Sequence, residues 1–204
     1  VSGKRYKLSS VTEPASPITV TSPIQVTGNY KIQYTVTFNQ SGVSADFTGT
    51  VVTIDGTGYN VANLPVSFWW DKDSVHTFAF QSSLVVMANA KQYVWISTTG
   101  LASSQSGSIT ASTSGNINGN YKTQFYLTMS TNFGTFSPSS GWYDAGSNVS
   151  ISATPPTAVS GERYVWNSWT GTGNGSYWGT LNLASIIING PINETASWTH
   201  EYYL

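Results

Sequence analysis

Apolar and polar residues alternate along much of this chain, which is typical of strands with one buried face. In the clearest run, residues 30–38, the apolar face carries Tyr30, Ile32, Tyr34, Val36 and Phe38. A second run, residues 121–129, places Tyr121, Phe125, Leu127 and Met129 on one face. Gly, Pro, Asn and Ser interrupt the chain at strand-length intervals, and no stretch reads as a helix. The pattern therefore predicts an all-β protein.

The remaining strands are predicted from shorter alternating runs bounded by turn residues. They are residues 50–54, 67–70, 75–80, 93–97 and 108–112, and then 142–143, 148–153, 164–169, 184–188 and 194–198. Several short strands within about 90 residues are typical of a small antiparallel sandwich of the immunoglobulin-like kind. The predicted fold is two tandem antiparallel Ig-like β-sandwich modules with an extended N-terminal strand.

Internal repeats set the predicted domain boundaries. Gly28–Tyr34 recurs as Gly119–Phe125, 91 positions later. Two further pairs match at similar offsets, namely Trp69–Ser74 with Trp142–Ser147 and Tyr93–Ser97 with Tyr164–Ser168. These repeats predict an N-terminal donor-strand tail over 1–27 and Ig-like modules over 28–118 and 119–204, with the boundary in the Gly/Asn/Ser stretch near 114–119.

The ends of the chain carry further copies of the strands that join one module to the next. Pro17–Val20 resembles Gly107–Thr110 and Ser185–Ile188, and Thr199–Leu204 resembles the opening strand of a module. We expect a spare closing strand at the start and a spare opening strand at the end, which is the design of a head-to-tail polymer formed by strand addition. The predicted donor residues are Ile18, Val20, Ile24 and Val26, with Tyr6, Leu8 and Val11 as the donor if it lies further upstream. Which end donates stays open.

Composition narrows the classes of function. Only 8% of the residues are charged and the net charge is −1, so the chain offers no field for nucleic acid or an anionic membrane. No apolar run reaches the roughly 20 residues of a membrane span. There is no cysteine, and hence neither a disulfide nor a thiolate metal site. Four Asn-x-Ser/Thr sequons, at Asn39, Asn148, Asn174 and Asn193, predict a secreted glycoprotein carrying N-linked glycans.

The repeated motifs resemble a known group of proteins. Tyr-Lys-x-Gln-Tyr/Phe openings, Tyr-Val-Trp strands and Ala-Ser-Trp closings are similar to repeat modules of archaeal cell-surface proteins. The two-module, sequon-bearing chain with an N-terminal tail resembles the subunit of the archaeal thread, a glycosylated filament. The resemblance implies an extracellular pilus-like filament at the cell surface, used for adhesion or biofilm formation, in which each tail inserts into the next subunit by donor-strand complementation.

Other classes of function have less support. The chain could be a module pair from a larger surface-layer or adhesin protein, with exposed aromatic residues that bind carbohydrate. Catalysis is not predicted, because His76 and His200 lie in different modules and no nucleophile elbow, P-loop or dinucleotide motif occurs. No cofactor or metal is expected, since Asp71 and Asp73 fit a turn better than a calcium site.

Overall fold

The computed structural model describes residues 3–12 and 17–203. In chain order the strands are β1 (Lys4–Thr12), β2 (Thr27–Ser41), β3 (Val52–Ile54), β4 (Thr57–Tyr59), β5 (Val66–Asp71), β6 (Val75–Phe80), β7 (Ser83–Met87), β8 (Lys91–Gly100), β9 (Ser106–Thr110), β10 (Gly115–Thr131), β11 (Thr135–Ser137), β12 (Gly141–Asp144), β13 (Asn148–Thr154), β14 (Glu162–Thr172), β15 (Trp178–Gly179), β16 (Ala184–Ile187) and β17 (Ile192–Tyr202). One 3₁₀ turn, Val61–Asn63, follows β4, and the described residues include no α-helix. The protein is all-β with several sheets, as in a β-sandwich.

The chain divides into two compact units. The first unit comprises the described residues within Val1–Ser82 and Trp95–Tyr121, and the second those within Ser83–Val94 and Lys122–Leu204. The three divisions fall just before β7, inside β8 and inside β10, and so differ from the single boundary predicted near 114–119. The sequence places a composition change at that boundary, whereas the backbone of β10 continues through it as one strand.

The first unit is built around β2. One edge of β2 pairs antiparallel with β1 and then parallel with the start of β10, and the other edge pairs with β5. A four-stranded sheet, β4-β3-β6-β9, provides the rest of the unit. The side chains of Val36 and Phe38 are fully buried, and Phe38 makes edge contacts with Trp70 and Phe68. The predicted inward face of β2 is therefore confirmed at its C-terminal half.

The second unit repeats this plan with the later part of β10. That part pairs antiparallel with β12 and parallel with β17, and β17 pairs antiparallel with β14. The three-stranded sheet β11-β13-β16 belongs to this unit, as does the hairpin β7–β8 up to Val94. Leu127, Ile151, Trp169 and Ile188 lie at the centre of its apolar core.

The N-terminal segment predicted as a separate tail, 1–27, is not uniform. Lys4–Thr12 form β1, which pairs with β2 of its own chain, whereas residues 17–26 form no strand. Residues 1, 2 and 13–16 of this tail, and Leu204 at the predicted opening strand, lie outside the described residues. Both β1 and residues 17–26 belong to the first unit, but only β1 is paired in a sheet there.

Candidate assembly segment

Two ladders in different parts of the chain share one register. The ladder β1·β2 has a register shift between Leu8 and Ser10, and the ladder β14·β17 has one between Trp166 and Ser168. The equivalent residue pairs are Lys4–Tyr34 with Glu162–Tyr202, Arg5–Gln33 with Arg163–Glu201, and Tyr6–Ile32 with Tyr164–His200. The start of the chain therefore has the strand pairing that the end of the chain has.

The ladder of β8 and β10 belongs to the same series. The amide of Tyr126 donates to the carbonyl of Ala90 at 3.1 Å, as the amide of Thr35 donates to that of Gly3 at 2.9 Å. A side-chain hydrogen bond is also repeated. Asn29 of β2 donates to Ser10 of β1, and Asn120 of β10 donates to Ser97 of β8, both at 3.1 Å. Three copies of one ladder thus occur along the chain.

A polar network repeats with two of these ladders. In the first unit the amide of Gln33 donates to Oδ1 of Asp71 at 2.7 Å, and Lys31 donates to Oδ2 at 3.1 Å. In the second unit Gln124 and Lys122 make the same two bonds to Asp144, both at 2.8 Å. Hydrogen bonds from the glutamine and the lysine lower the pKa of each aspartate, and these contacts fix the register of β5 and β12.

We define residues 17–26 as the assembly segment. It forms no strand, although its apolar residues alternate as in a strand with one buried face. All four predicted donor residues are exposed, with Val20 at 70% and Ile18, Ile24 and Val26 between 39% and 49%. The segment thus presents a row of aliphatic side chains to solvent.

The residues at equivalent positions in the two units are core residues. The assembly segment, Pro-Ile-Thr-Val-Thr-Ser-Pro-Ile-Gln-Val, aligns without a gap with residues 185–194, Ser-Ile-Ile-Ile-Asn-Gly-Pro-Ile-Asn-Glu. The counterparts of its four aliphatic residues are Ile186, Ile188, Ile192 and Glu194, which are all buried. In the first unit the residues aligned with Val20 and Val26 are Ala111 and Ile117, which are also buried. The assembly segment therefore resembles a stretch that comprises β16, the bend after it and the first residues of β17, whose side chains at the four aligned positions are buried in a core.

The upstream donor residues have a different environment. Tyr6, Leu8 and Val11 lie in β1, whose backbone pairs with β2 of the same chain, so the expectation of an unpaired strand there is wrong. Their side chains are nevertheless exposed, with Tyr6 at 63%, whereas Tyr93 at the equivalent place in β8 is buried at 1%. Tyr93 is paired across the β7–β8 hairpin with Leu84, and β1 has no such neighbour on its outer edge among the described residues.

A buried carboxyl group lies near the start of β17 in the second unit. Glu194 is 0% exposed, and its Oε1 accepts a hydrogen bond from the amide of Tyr177 at 2.7 Å. Its Oε2 has no hydrogen-bond partner in the described part of the chain. Across the two ladders Glu194 pairs with Met129 of β10 and Gly171 of β14, which are both uncharged, and its contact with Tyr177 is through the backbone amide.

The environment of Glu194 disfavours its ionised form. Burial raises the pKa of Glu194, and the single hydrogen bond from Tyr177 opposes this only in part. A Cβ atom at Gly171 would come within 2.5 Å of Oε1, so glycine at 171 leaves the space that the carboxyl group occupies. Sequence reasoning missed Glu194, although its place in the inward alternation after Ile188 and Ile192 was a signal.

A Ser-His-Asp arrangement in the first unit belongs to a turn. His76 contacts Asp55 through Nδ1 at 2.7 Å and Ser74 through Nε2 at 2.9 Å. The hydroxyl of Ser74, however, donates to the carbonyl of Asp71 at 2.6 Å, and Ser147 makes the same bond to Asp144 in the second unit, which has no histidine at that turn. The amides of Lys72, Asp73 and Ser74 in this turn donate to backbone carbonyls. In the described ranges no three His, Asp or Glu side chains cluster as metal ligands.

The four predicted glycosylation sites lie at the surface of their units. Asn148, Asn174 and Asn193 are exposed, and Asn39 in β2 is half-buried. The exposed three leave room for a glycan, and their modification stays a prediction.

The two consecutive tryptophans of β5 face opposite sides of the strand, as alternation requires. Trp70 is buried, whereas Trp69 is partly exposed and stacks under the guanidinium of Arg5 at 4.3 Å.

Comparison with protein-family models, with curated proteins and with solved structures gave no match. Among the described residues, no helix has the length and apolar character required to cross a membrane.

Proposed function

We propose that this protein is a non-catalytic structural subunit of an extracellular filament at the cell surface. Its two units are Ig-like modules in tandem, and copies join head-to-tail when the assembly segment of one copy completes a sheet in the next. N-linked glycans at the sequons cover the filament, and its use is adhesion or biofilm formation. The proposal includes no role for nucleic acid, a cofactor or insertion into a membrane.

The observation that carries this proposal is the contrast in burial between equivalent strands. Ile18, Val20, Ile24 and Val26 are exposed, whereas their counterparts in the second unit are buried. Exposed alternating aliphatic residues outside a sheet are a liability for a chain in isolation and a natural feature of a donor strand. A strand-addition site on another copy would cover the apolar face and supply backbone hydrogen-bond partners together.

The energy available is appropriate for stable association. Full burial of one aliphatic side chain contributes about 1.5–3 kcal/mol, and roughly half of each donor side chain is still exposed. Burying the four donor residues therefore contributes on the order of 3–6 kcal/mol before the backbone hydrogen bonds are counted. Because the donor and the acceptor are different surfaces of the chain, the contact repeats without closing and produces a fibre.

A second candidate function is a module pair within a larger surface-layer or adhesin protein. The repeated ladder favours it, because β1·β2 and β14·β17 have the register that links consecutive modules of one polypeptide. In that protein the assembly segment would close the preceding module. Trp178, which is 79% exposed, would be available for stacking on a sugar ring.

The substitution Val20→Asp tests the filament proposal. Val20 is exposed and outside any strand, so the fold of the single chain is expected to keep its stability to within about 0.5 kcal/mol. A charge in the donor row would be buried on assembly, and polymer formation is expected to be lost. Light scattering after size exclusion and negative-stain electron microscopy report the outcome.

The matched control is Val159→Asp, which places the same charge on an exposed valine outside the assembly segment. It should polymerise like the wild type. A wild-type chain that stays monomeric at every concentration, or a Val20→Asp variant that forms fibres as readily, would contradict the filament proposal, and the first result favours the module-pair candidate.

A further inference from the structure

The assembly segment resembles residues 185–194 of the second unit more closely than residues 108–117 of the first unit. It shares Ile18, Pro23 and Ile24 with Ile186, Pro191 and Ile192 of the second unit. Val20 corresponds to Ile188, which differs by one methylene, and Val26 corresponds to the buried Glu194. The aligned segment of the first unit, residues 108–117, lacks the proline and has smaller residues at two core positions.

Steric fit also separates the two units. Ile24 would take the place of Gly115 in the first unit, where even a Cβ atom would lie 2.9 Å from the side chain of Leu101. Val20 would take the place of Ala111, which is buried at 1%. In the second unit both positions already hold isoleucine, so the assembly segment fits that core without added volume.

From these observations, and resting on the proposed function, we propose that the second unit is the acceptor. In the assembled protein, residues 17–26 of one copy replace residues 185–194 of a neighbour, namely β16, the bend after it and the start of β17, and the displaced segment carries Glu194 out to solvent. The exchange substitutes aliphatic residues for aliphatic residues at three positions. At the fourth it substitutes Val26 for a buried carboxyl group with an unpaired oxygen, which gives the exchange its direction.

The substitution Glu194→Ile tests the direction of the exchange. With this substitution residues 185–194 have aliphatic side chains at all four core positions, as the assembly segment has. The incoming segment then no longer replaces a buried carboxyl group. The rate of polymerisation is expected to fall about tenfold or more, because an unpaired buried polar group costs enough to shift the exchange by that factor. The control is Ser108→Ile, which adds the same side chain at an exposed position of β9 in the first unit and should leave the rate unchanged.

Cross-linking identifies the acceptor unit directly, since the chain has no cysteine of its own. Asn193 lies beside Thr128 in the parallel pairing of β17 with β10, so Gln25 of an incoming segment would take the place of Asn193 there. Mixed Gln25→Cys and Thr128→Cys chains are expected to form a disulfide-linked dimer under mild oxidation. The matched control mixes Gln25→Cys with Thr37→Cys, because Thr37 has the same place beside Asn116 in the first unit.

Each outcome decides between the possibilities. A cross-link to Thr128 together with slow polymerisation of Glu194→Ile supports the exchange. A cross-link to Thr37, or Glu194→Ile chains that polymerise at the wild-type rate, overturns the acceptor assignment while the filament proposal stands. A wild-type chain that does not polymerise overturns both.

Discussion

Glu194 occupies the position that Ile117 occupies in the first unit, and both side chains are fully buried. An isoleucine there contributes to the core, whereas a carboxyl group must either hold its proton or remain charged in an apolar site. The raised pKa indicates that it holds its proton more readily than a solvated glutamate. Replacing isoleucine by glutamate at this one position therefore lowers the stabilisation that the side chain gives to the core of the second unit.

The pH dependence of stability tests this view of Glu194. Because its pKa in the folded protein lies above the ordinary value of 4.5, the folded state binds more protons than the unfolded chain between the two pKa values. The contribution of Glu194 to the free energy of unfolding should be fully present below pH 4.5. It should be lost as the pH rises through the raised pKa, at about 1.4 kcal/mol for each unit of difference between the two pKa values. Urea unfolding of dilute protein between pH 4 and pH 8 measures it.

The matched variants are Glu194→Gln and Glu201→Gln. Glu194→Gln cannot ionise and should lose this component of the pH dependence, while Glu201→Gln, altered in a partly exposed ion pair with Arg163, should keep it. Equal pH profiles for wild type and Glu194→Gln would show that Glu194 is ordinarily solvated.

At the scale of strands, a glycine marks where the two units differ in packing. Gly119 of β10 and Ala196 of β17 are equivalent, yet only the second unit tolerates a methyl group there. A Cβ atom at Gly119 would lie 2.5 Å from the ring of Phe80, which is buried. The glycine is thus required for the approach of β10 to an aromatic side chain and not for its backbone conformation.

The variant Gly119→Ala is expected to destabilise the first unit by about 1–3 kcal/mol, because Phe80 has to move within a filled core. Gly141→Ala is the control, since the nearest atom to its added Cβ is 3.9 Å away. Thermal unfolding of both variants measures the difference. Equal midpoints for the two would mean that the ring of Phe80 has room to move.

Most of the strands could be predicted from alternation, and the reason is physical. Wherever one face of a strand is buried and the other solvated, as in β2, β6 and β13, the pattern of period two is visible in the sequence. The predictions failed where this condition is absent. β7 is a short edge strand, and β4 and β11 are only three residues long, so their sequences carry little alternation.

The same reasoning explains the errors at single residues. Tyr30 shares a face with Val36 and was expected to be buried, but it is 62% exposed because the described chain places no core opposite it. Gln33 lies on the polar face and is nevertheless buried, because its amide bridges Arg5 and Asp71. Alternation predicts which side a residue faces, and only the tertiary structure decides what lies on that side.

At the scale of the whole molecule, the chain contains two units and, within the first of them, a third copy of the closing sequence whose aliphatic side chains are exposed. In these units β9 pairs with β6, and β16 pairs with β13. The assembly segment forms no strand in the first unit, and a partner core is the simplest way to give its aliphatic row a buried environment. Assembly through this segment would bury that row.

Amide hydrogen exchange of the assembly segment tests this burial most directly. In dilute monomeric protein the amides of residues 17–26 should exchange quickly, because they belong to no strand. In concentrated, assembled protein they should become protected to the extent of the amides in β17, as a strand within a sheet requires. Fast exchange of these amides in both states would contradict the account, whatever fibres the protein forms.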